Sequence, residues 1–210
     1  MGGEESVTEQ TVVGESKPET LRERRKAERR AQLLSAAAEL FADRGFASVR
    51  LEDLGAAVGV SGPAVYRHFP NKESVLVELL VGISEYLLEG GRRVANRQPA
   101  GREVLNDLIE FHLDFAFESP ALIRIQDRDL QNLPDAARRK VRRMQREYVE
   151  LWVAQLRVHD EALSEIDART QAHAVFGLIN STPYSAGRTR SKNVRPLLRG
   201  MATGALGIDG

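Results

Sequence analysis

Residues 51–72 read LEDLGAAVGVSGPAVYRHFPNK, and the order of residue types in this stretch sets the fold of the first third of the chain. Leu51, Leu54 and Val58 recur at i, i+3 and i+7, one apolar stripe on a short helix whose first turn carries Glu52 and Asp53. Gly59 stops that helix, since glycine reaches positive φ without a Cβ clash, and Val60 is placed to plug the gap between two steeply crossing helices. Ser61 is the expected N-cap of the second helix. Pro63 falls in its first turn, where a missing N–H is harmless, and Pro70 ends it after Phe69. The pattern predicts a helix-turn-helix running into a further helix.

The second of these helices carries chemistry suited to double-stranded DNA. Ser61, Gly62, Pro63 and Ala64 at its start are small, so a helix N-terminus can enter the major groove and touch base edges or thymine methyls. Tyr66, Arg67 and His68 can donate to phosphate oxygens, and Lys72 adds a charge where the next helix starts. Upstream, Arg22, Arg25, Lys26, Arg29 and Arg30 fall at i, i+3, i+4, i+7 and i+8 and share one helix face. Such a face is either plainly solvated or an arm along the phosphate backbone, and the adjacent motif favours the arm.

The longer segment GFASVRLEDLGAAVGVSGPAVYRHFPNKESVL resembles the DNA-binding domain of the TetR family of bacterial transcriptional regulators. The Gly-Val-Ser turn, Val65-Tyr66-Arg67-His68-Phe69 and Asn71-Lys72-Glu73 carry the likeness. At one place the chain departs from it: Val49-Arg50 stands where family members often have two hydroxyl residues, which removes a hydroxyl cap and leaves Arg50 to reach a phosphate. The resemblance implies an all-α chain, with a three-helix DNA-binding domain at 21–72 followed at 73–210 by a helical bundle that binds a small effector and dimerises. It implies a repressor that holds a palindromic operator as a homodimer and releases it on binding the effector. The alternative is a DNA-binding structural or chromosome-associated protein without an effector.

Composition narrows the field. The 210 residues include 30 basic and 30 acidic side chains, a balance that argues against a general nucleic-acid coat protein. There is no cysteine, hence no disulfide framework, thiolate nucleophile or cysteine-bound zinc. His68, His112, His159 and His173 show neither i, i+4 pairing nor an HExxH motif, and no glycine-rich phosphate loop or nucleophile elbow is present. No catalysis, metal or cofactor is expected. No signal-peptide core and no long apolar run is found, so the expectation is a cytoplasmic protein with no membrane partner.

Along the chain, residues 1–20 are polar and acidic and are expected to form a disordered tail. Thr20 and Glu23 have the form of a capping box, and Leu34, Ala37, Ala38 and Phe41 stripe the first helix. Asn71 is the expected N-cap of a fourth helix carrying Leu76, Leu79, Leu80, Ile83 and Leu87. Gly90-Gly91 either ends that helix or bends it, and an end is preferred, since two glycines inside a helix cost about 2 kcal/mol relative to alanines. Further helices are read over Arg102–Glu118, Ala121–Leu130, a long segment from Asp135, Ala168–Ile179 and a last one through Val194, Leu198 and Ala205, with a loop at Thr182–Gly187. No strand-like alternation appears.

For an effector site the candidates are His112, Phe115, Gln126, Arg128, Tyr148, Trp152, Phe176 and Asn180, polar or aromatic groups on segments expected to face one another. The plainer readings are core aromatics, a core histidine and a solvated Gln126-Asp127-Arg128 turn. These groups suit an apolar or amphipathic effector, with His112 or Arg128 available for a polar or acidic end. Phe176, Ile179, Leu198, Met201 and Ala202 are the expected dimer face, weighed against a role in the monomer's own core.

Overall fold

The computed structural model describes residues 20–97, 99–185 and 193–208. Residues 1–19 of the expected tail and residues 186–187 of the expected loop lie outside these residues, while Thr20, expected as the end of the tail, caps the first helix. The described residues are helical, with no strand among them. The helices are α1 (Leu21–Arg44), α2 (Leu51–Ala57), α3 (Gly62–Tyr66), α4 (Lys72–Ala95) and α5 (Arg102–Glu118). They continue with α6 (Pro120–Asp129), α7 (Asp135–His159), α8 (Glu165–Asn180), the single turn α9 (Thr182–Ser185) and α10 (Val194–Ala205).

Local chemistry accounts for most of the boundaries. The Thr20 side chain accepts from the Glu23 N–H while Glu23 accepts from the Thr20 N–H at 2.7 Å, so the capping box closes in both directions. Asn71 Oδ1 accepts from the Ser74 N–H at 2.8 Å and starts α4. Gly59 has φ +70°, the left-handed turn that lets α2 stop and α3 cross over it. Ser61 has the extended backbone of an N-cap, but its hydroxyl makes no capping bond. At α2 the missing hydroxyl cap is replaced from the other side, where the Arg50 N–H donates to Asp53 Oδ2 at 2.8 Å.

Burial divides between two regions that merge along α4. Leu33, Ala37, Phe41, Val49, Leu54, Val65 and Phe69 are fully buried and fix α1 to α3 as a unit around α4's first turns. Leu105, Leu108, Ile109, Leu113, Trp152, Ala172, Val175 and Ile179 form the larger core of α5, α7 and α8. α4 packs most extensively on α7.

Gly90 and Gly91 do not end α4. The helix continues to Ala95, and both glycines are buried. A Cβ at Gly90 would stand 2.1 Å from Phe111 Cζ, and one at Gly91 would stand 2.5 Å from Tyr148 Cε2. The pair lets α5 and α7 approach α4 closely, and that packing offsets the helix-propensity cost.

Candidate nucleic-acid interface and effector cavity

At the α3 end of the molecule, Pro63, Tyr66 and Arg67 are exposed, and Ser61, Gly62 and Ala64 lie along the same edge. The Tyr66 hydroxyl donates to Glu52 Oε1 at 3.1 Å, which steadies the ring while leaving it half exposed. His68 is partly buried with Nδ1 unpaired. Burial and the surrounding Arg30, Lys26, Arg29 and Arg67 hold its pKa below the usual histidine value. Four cations thus converge where α1 meets the end of α3, an arrangement that attracts phosphate.

Several of the expected phosphate donors have other tasks. Lys72 Nζ donates to the carbonyls of Phe46, Ala47 and Val49 at 2.9, 3.1 and 3.2 Å, closing the turn before α2. Its ammonium also lies 4.5 Å from the Phe46 ring centroid. Arg30 pairs with Glu78 through Nε at 2.8 Å and through Nη2, donates to the His68 carbonyl, and stacks over Phe69 at 4.2 Å. It binds α1 to α4. Arg29 donates to the Val58 carbonyl at 3.3 Å. Arg22, Arg25, Lys26, Arg50 and Arg67 remain exposed.

In the larger core, α4, α5, α6, α7 and α8 enclose a cavity of about 240 Å³. Of the candidate effector residues, His112, Phe115, Gln126, Tyr148, Phe176 and Asn180 line it. Trp152 sits behind this wall, fully buried, with its ring edge-on to Phe176 at 4.9 Å. Arg128 is elsewhere. It points to the end of α1, where Nη1 donates to the Ala42 carbonyl at 3.3 Å and Nη2 donates to the Phe41 carbonyl. Position on α6 decides this, because Ile123 and Gln126 face the cavity while Arg124 and Arg128 face α1. Sequence reasoning did not single out Ser84, Leu87, Ile123, Met144, Gln145, Val149 or His173, which complete the lining. Leu87 and Met144 have helical spacing that only marks them as buried, and no signal separated cavity wall from core.

His112 organises the cavity's polar side. Its Nε2 lies 3.1 Å from Asn180 Oδ1 and its Nδ1 lies 3.2 Å from the Tyr148 hydroxyl. Asn180 Oδ1 only accepts, so Nε2 carries the proton and Tyr148 donates to Nδ1. Burial lowers the His112 pKa to about 4, against a smaller opposing effect of the Asn180 bond, and the imidazole is neutral at pH 7. Burial also pushes the Tyr148 phenol up. The lining holds no Lys, Arg, Asp or Glu. The cavity is uncharged, with aromatic walls and one hydrogen-bonding edge.

The expected dimer residues fall into separate environments. Ile179, Leu198 and Ala202 are buried inside the single chain, and Phe176 belongs to the cavity wall. Met201 is 50% exposed and Leu197, one turn earlier on α10, is 61% exposed, while Ile166 near the start of α8 is 75% exposed.

The family model for bacterial regulatory proteins of the tetR family matches residues 33–79, and that for the tetracyclin repressor-like C-terminal domain matches residues 98–184. The HTH-type transcriptional regulator CymR of Pseudomonas putida is 30% identical over 180 residues, covering 81% of this chain and 87% of CymR. The chain belongs to the TetR family. It is a DNA-binding transcriptional regulator with the helix-turn-helix at α2 and α3. The transcriptional activator FasR of Mycolicibacterium smegmatis is 34% identical over 88 residues, 42% of this chain and 40% of FasR. The transcriptional repressor KstR2 of Rhodococcus jostii is 29% identical over 132 residues, 62% of this chain and 65% of KstR2. The matches to FasR and KstR2 thus span less than two thirds of those proteins.

Among solved structures, PfmR of Thermus thermophilus superimposes with a TM-score of 0.73 at 23% identity, covering 83% of this chain and 97% of PfmR. AibR, solved with isovaleryl coenzyme A and operator DNA, gives 0.70 at 18% identity, covering 84% of this chain and 97% of AibR. These likenesses extend the TetR fold over both halves of the chain. Among the described residues no helix is long and apolar enough to cross a membrane, and no group of side chains is arranged to hold a metal.

Proposed function

We propose that this TetR-family chain is a repressor that binds a roughly palindromic operator as a homodimer and lets go when a small, largely apolar molecule fills the cavity. The supporting observation is α6. One of its faces lines the cavity through Ile123 and Gln126, and the other holds the end of α1 through Arg124 and Arg128. A ligand that shifts α6 therefore acts on the helix whose basic face flanks the DNA-reading unit, and α4 gives a second route because Ser84 and Leu87 also line the cavity.

On this reading residues 21–72 form the DNA-binding domain, with Ser61 to Ala64 at the bases and Tyr66, Arg67 and Arg50 at phosphates. His112, Phe115, Gln126, Tyr148, Phe176 and Asn180 receive the effector, with Trp152 supporting them. Arg128 is withdrawn as a partner for an acidic end, since its donors go to α1 and to Asp129. The exposed faces of α8 and α10 would form the dimer. KstR2 is named a repressor and FasR an activator, so the direction of regulation is the part that needs measurement.

Selection of bound fragments from a random DNA pool, followed by transcription assays on the recovered operator, tests the reading. A palindromic site whose occupancy lowers transcription supports it, and a site whose occupancy raises transcription reverses the sign. The effector-free, structural alternative is favoured by no feature of the fold, and it would be established by operator affinity that no ligand of the cavity changes.

A further inference from the structure

The cavity continues outward. Gln145, Val149 and His173 line it and also line a shallower groove of about 350 Å³ between α7 and α8, so the two spaces meet at these three residues. Arg142, Arg146 and Arg169 stand along the groove, with Glu150 the acidic residue among them. Glu150 is already engaged, since Arg169 Nη2 donates to both of its carboxylate oxygens at 2.7 and 2.9 Å. Arg142 and Arg146 are exposed and have no acidic partner among the described residues. On the same helix Arg138 pairs with Asp135, Lys140 with Glu85 and Arg143 with Glu147, whereas Arg139 is exposed outside the groove. In a chain of zero formal net charge, this is a local positive surplus at the mouth of an uncharged cavity.

We propose that the groove seats a phosphate-bearing head whose apolar part enters the cavity past Gln145, Val149 and His173. The proposal rests on the effector reading above and narrows it. A space of about 240 Å³ is small beside typical ligand pockets of roughly 300–1,000 Å³, so a larger effector must extend beyond it. The interior is a poor place for the charged end, because no Lys or Arg lines it and burial keeps His112 neutral, while His173 stands at the mouth shared with the groove. Arg142 and Arg146, at i and i+4, present two planar donor sets on one face, which suits a phosphate or pyrophosphate. Acyl thioesters of coenzyme A and isoprenoid diphosphates share this chemistry.

The sole tryptophan, Trp152, sits directly behind the cavity wall, edge-on to the lining residue Phe176 at 4.9 Å, and reports on occupancy through its fluorescence. The full-length protein is titrated with coenzyme A thioesters of four-, eight- and twelve-carbon acids, with geranyl diphosphate, and with geraniol as the uncharged probe. Binding of a thioester or of the diphosphate, weakened by added salt and reduced roughly tenfold or more in R142Q/R146Q, is the expected result, and it tells the two sources apart. R139Q, an exposed arginine outside the groove, should bind as the wild type does. The proposal is overturned if no phosphate-bearing probe binds, or if one binds with the same affinity and salt dependence in R142Q/R146Q. Geraniol that binds and lowers operator affinity while the phosphate-bearing probes fail overturns the groove and leaves the effector reading intact. A phosphate-bearing probe that binds through Arg142 and Arg146 without changing operator affinity supports the groove and removes the effector reading.

Discussion

Arg128 on α6 donates to the Ala42 carbonyl at the end of α1, 3.3 Å away, and so ties the helix that lines the cavity to the first helix of the DNA-binding unit. Its second terminal nitrogen donates to the Phe41 carbonyl, and the buried Asp129 carboxylate orients the guanidinium at 3.0 and 3.1 Å. The last carbonyls of α1 are the negative end of that helix, where a cation is favourable on electrostatic as well as hydrogen-bonding grounds.

Arg128→Ala should lower stability by about 2 kcal/mol or more, because it removes those bonds and leaves Asp129 buried with only Asn132 beside it. Arg128→Ala combined with Asp129→Asn should recover part of the loss. Operator affinity without effector should change little, since Arg128 touches no residue of α3. Urea melts and operator titrations of the two variants check this, and a larger loss in the double variant would contradict the electrostatic account.

The glycines of α4 give a paired test. Gly91→Ala places a methyl 2.5 Å from the Tyr148 ring, which is held in the cavity wall by its bond to His112, so neither side yields readily. We expect a loss of about 1–3 kcal/mol despite alanine's better helix propensity. Gly82→Ala on the same helix meets nothing within 4 Å and should stabilise by up to about 1 kcal/mol. Thermal unfolding should therefore move in opposite directions for the two variants.

How much of this was legible follows from how local each cause is. Thr20, Asn71 and Gly59 act within four residues of themselves, and their roles in starting and stopping helices can be read from the chain. Gly90-Gly91 could not be read so, because sequence gives the propensity cost of a glycine and not the aromatic ring that approaches it. The same holds for Lys72, Arg30 and Arg128, whose partners on other elements lie 23 to 87 residues away in sequence. A cation near a DNA-binding motif looks like a phosphate donor until the fold shows a row of carbonyls in front of it. Periodicity placed Leu198 and Ala202 on an apolar stripe, but a stripe does not say whether it meets its own chain or another.

That distinction between interior donors and free ones yields a prediction for DNA binding. Arg67→Ala should flatten the dependence of operator affinity on salt by about one counterion per half-site. Lys72→Ala should leave that slope nearly unchanged and instead destabilise the α2 turn, since its three carbonyl partners lose their donor. Titrations at several salt concentrations, with a thermal melt of each variant, separate the two. A reduced slope for Lys72→Ala would show that its ammonium leaves the carbonyls for phosphate in the complex.

Dimerisation through α8 and α10 predicts different outcomes for adjacent residues. Met201→Glu and Leu197→Glu place charges on exposed apolar positions and should give folded monomers with weakened operator binding. Leu198→Glu buries a charge inside the chain and should unfold it, because Leu198 is only 6% exposed. Sedimentation together with circular dichroism checks both. Dimers that persist in Met201→Glu and Leu197→Glu would move the interface to another face.

His112 predicts a pH dependence whose sign follows from its surroundings. An unfolded chain protonates this imidazole near its ordinary pKa of about 6.5, whereas the buried, hydrogen-bonded ring of the folded protein resists protonation down to about 4. Between these values the unfolded state binds more protons than the folded state, so stability falls as pH falls through the window. The stabilising contribution is complete above about pH 6.5 and is exhausted near pH 4, and the full shift corresponds to roughly 3 kcal/mol. His112→Gln keeps a polar group beside Asn180 and Tyr148 but cannot titrate, so it should flatten the stability profile over this interval even though it lowers stability at pH 7. Chemical denaturation of both proteins at half-unit steps from pH 4 to 7 measures the difference. A ligand that occupies the cavity without protonating the ring should raise stability most at the upper end of the range, and a parallel profile in wild type and His112→Gln would show that some other group carries the acid sensitivity.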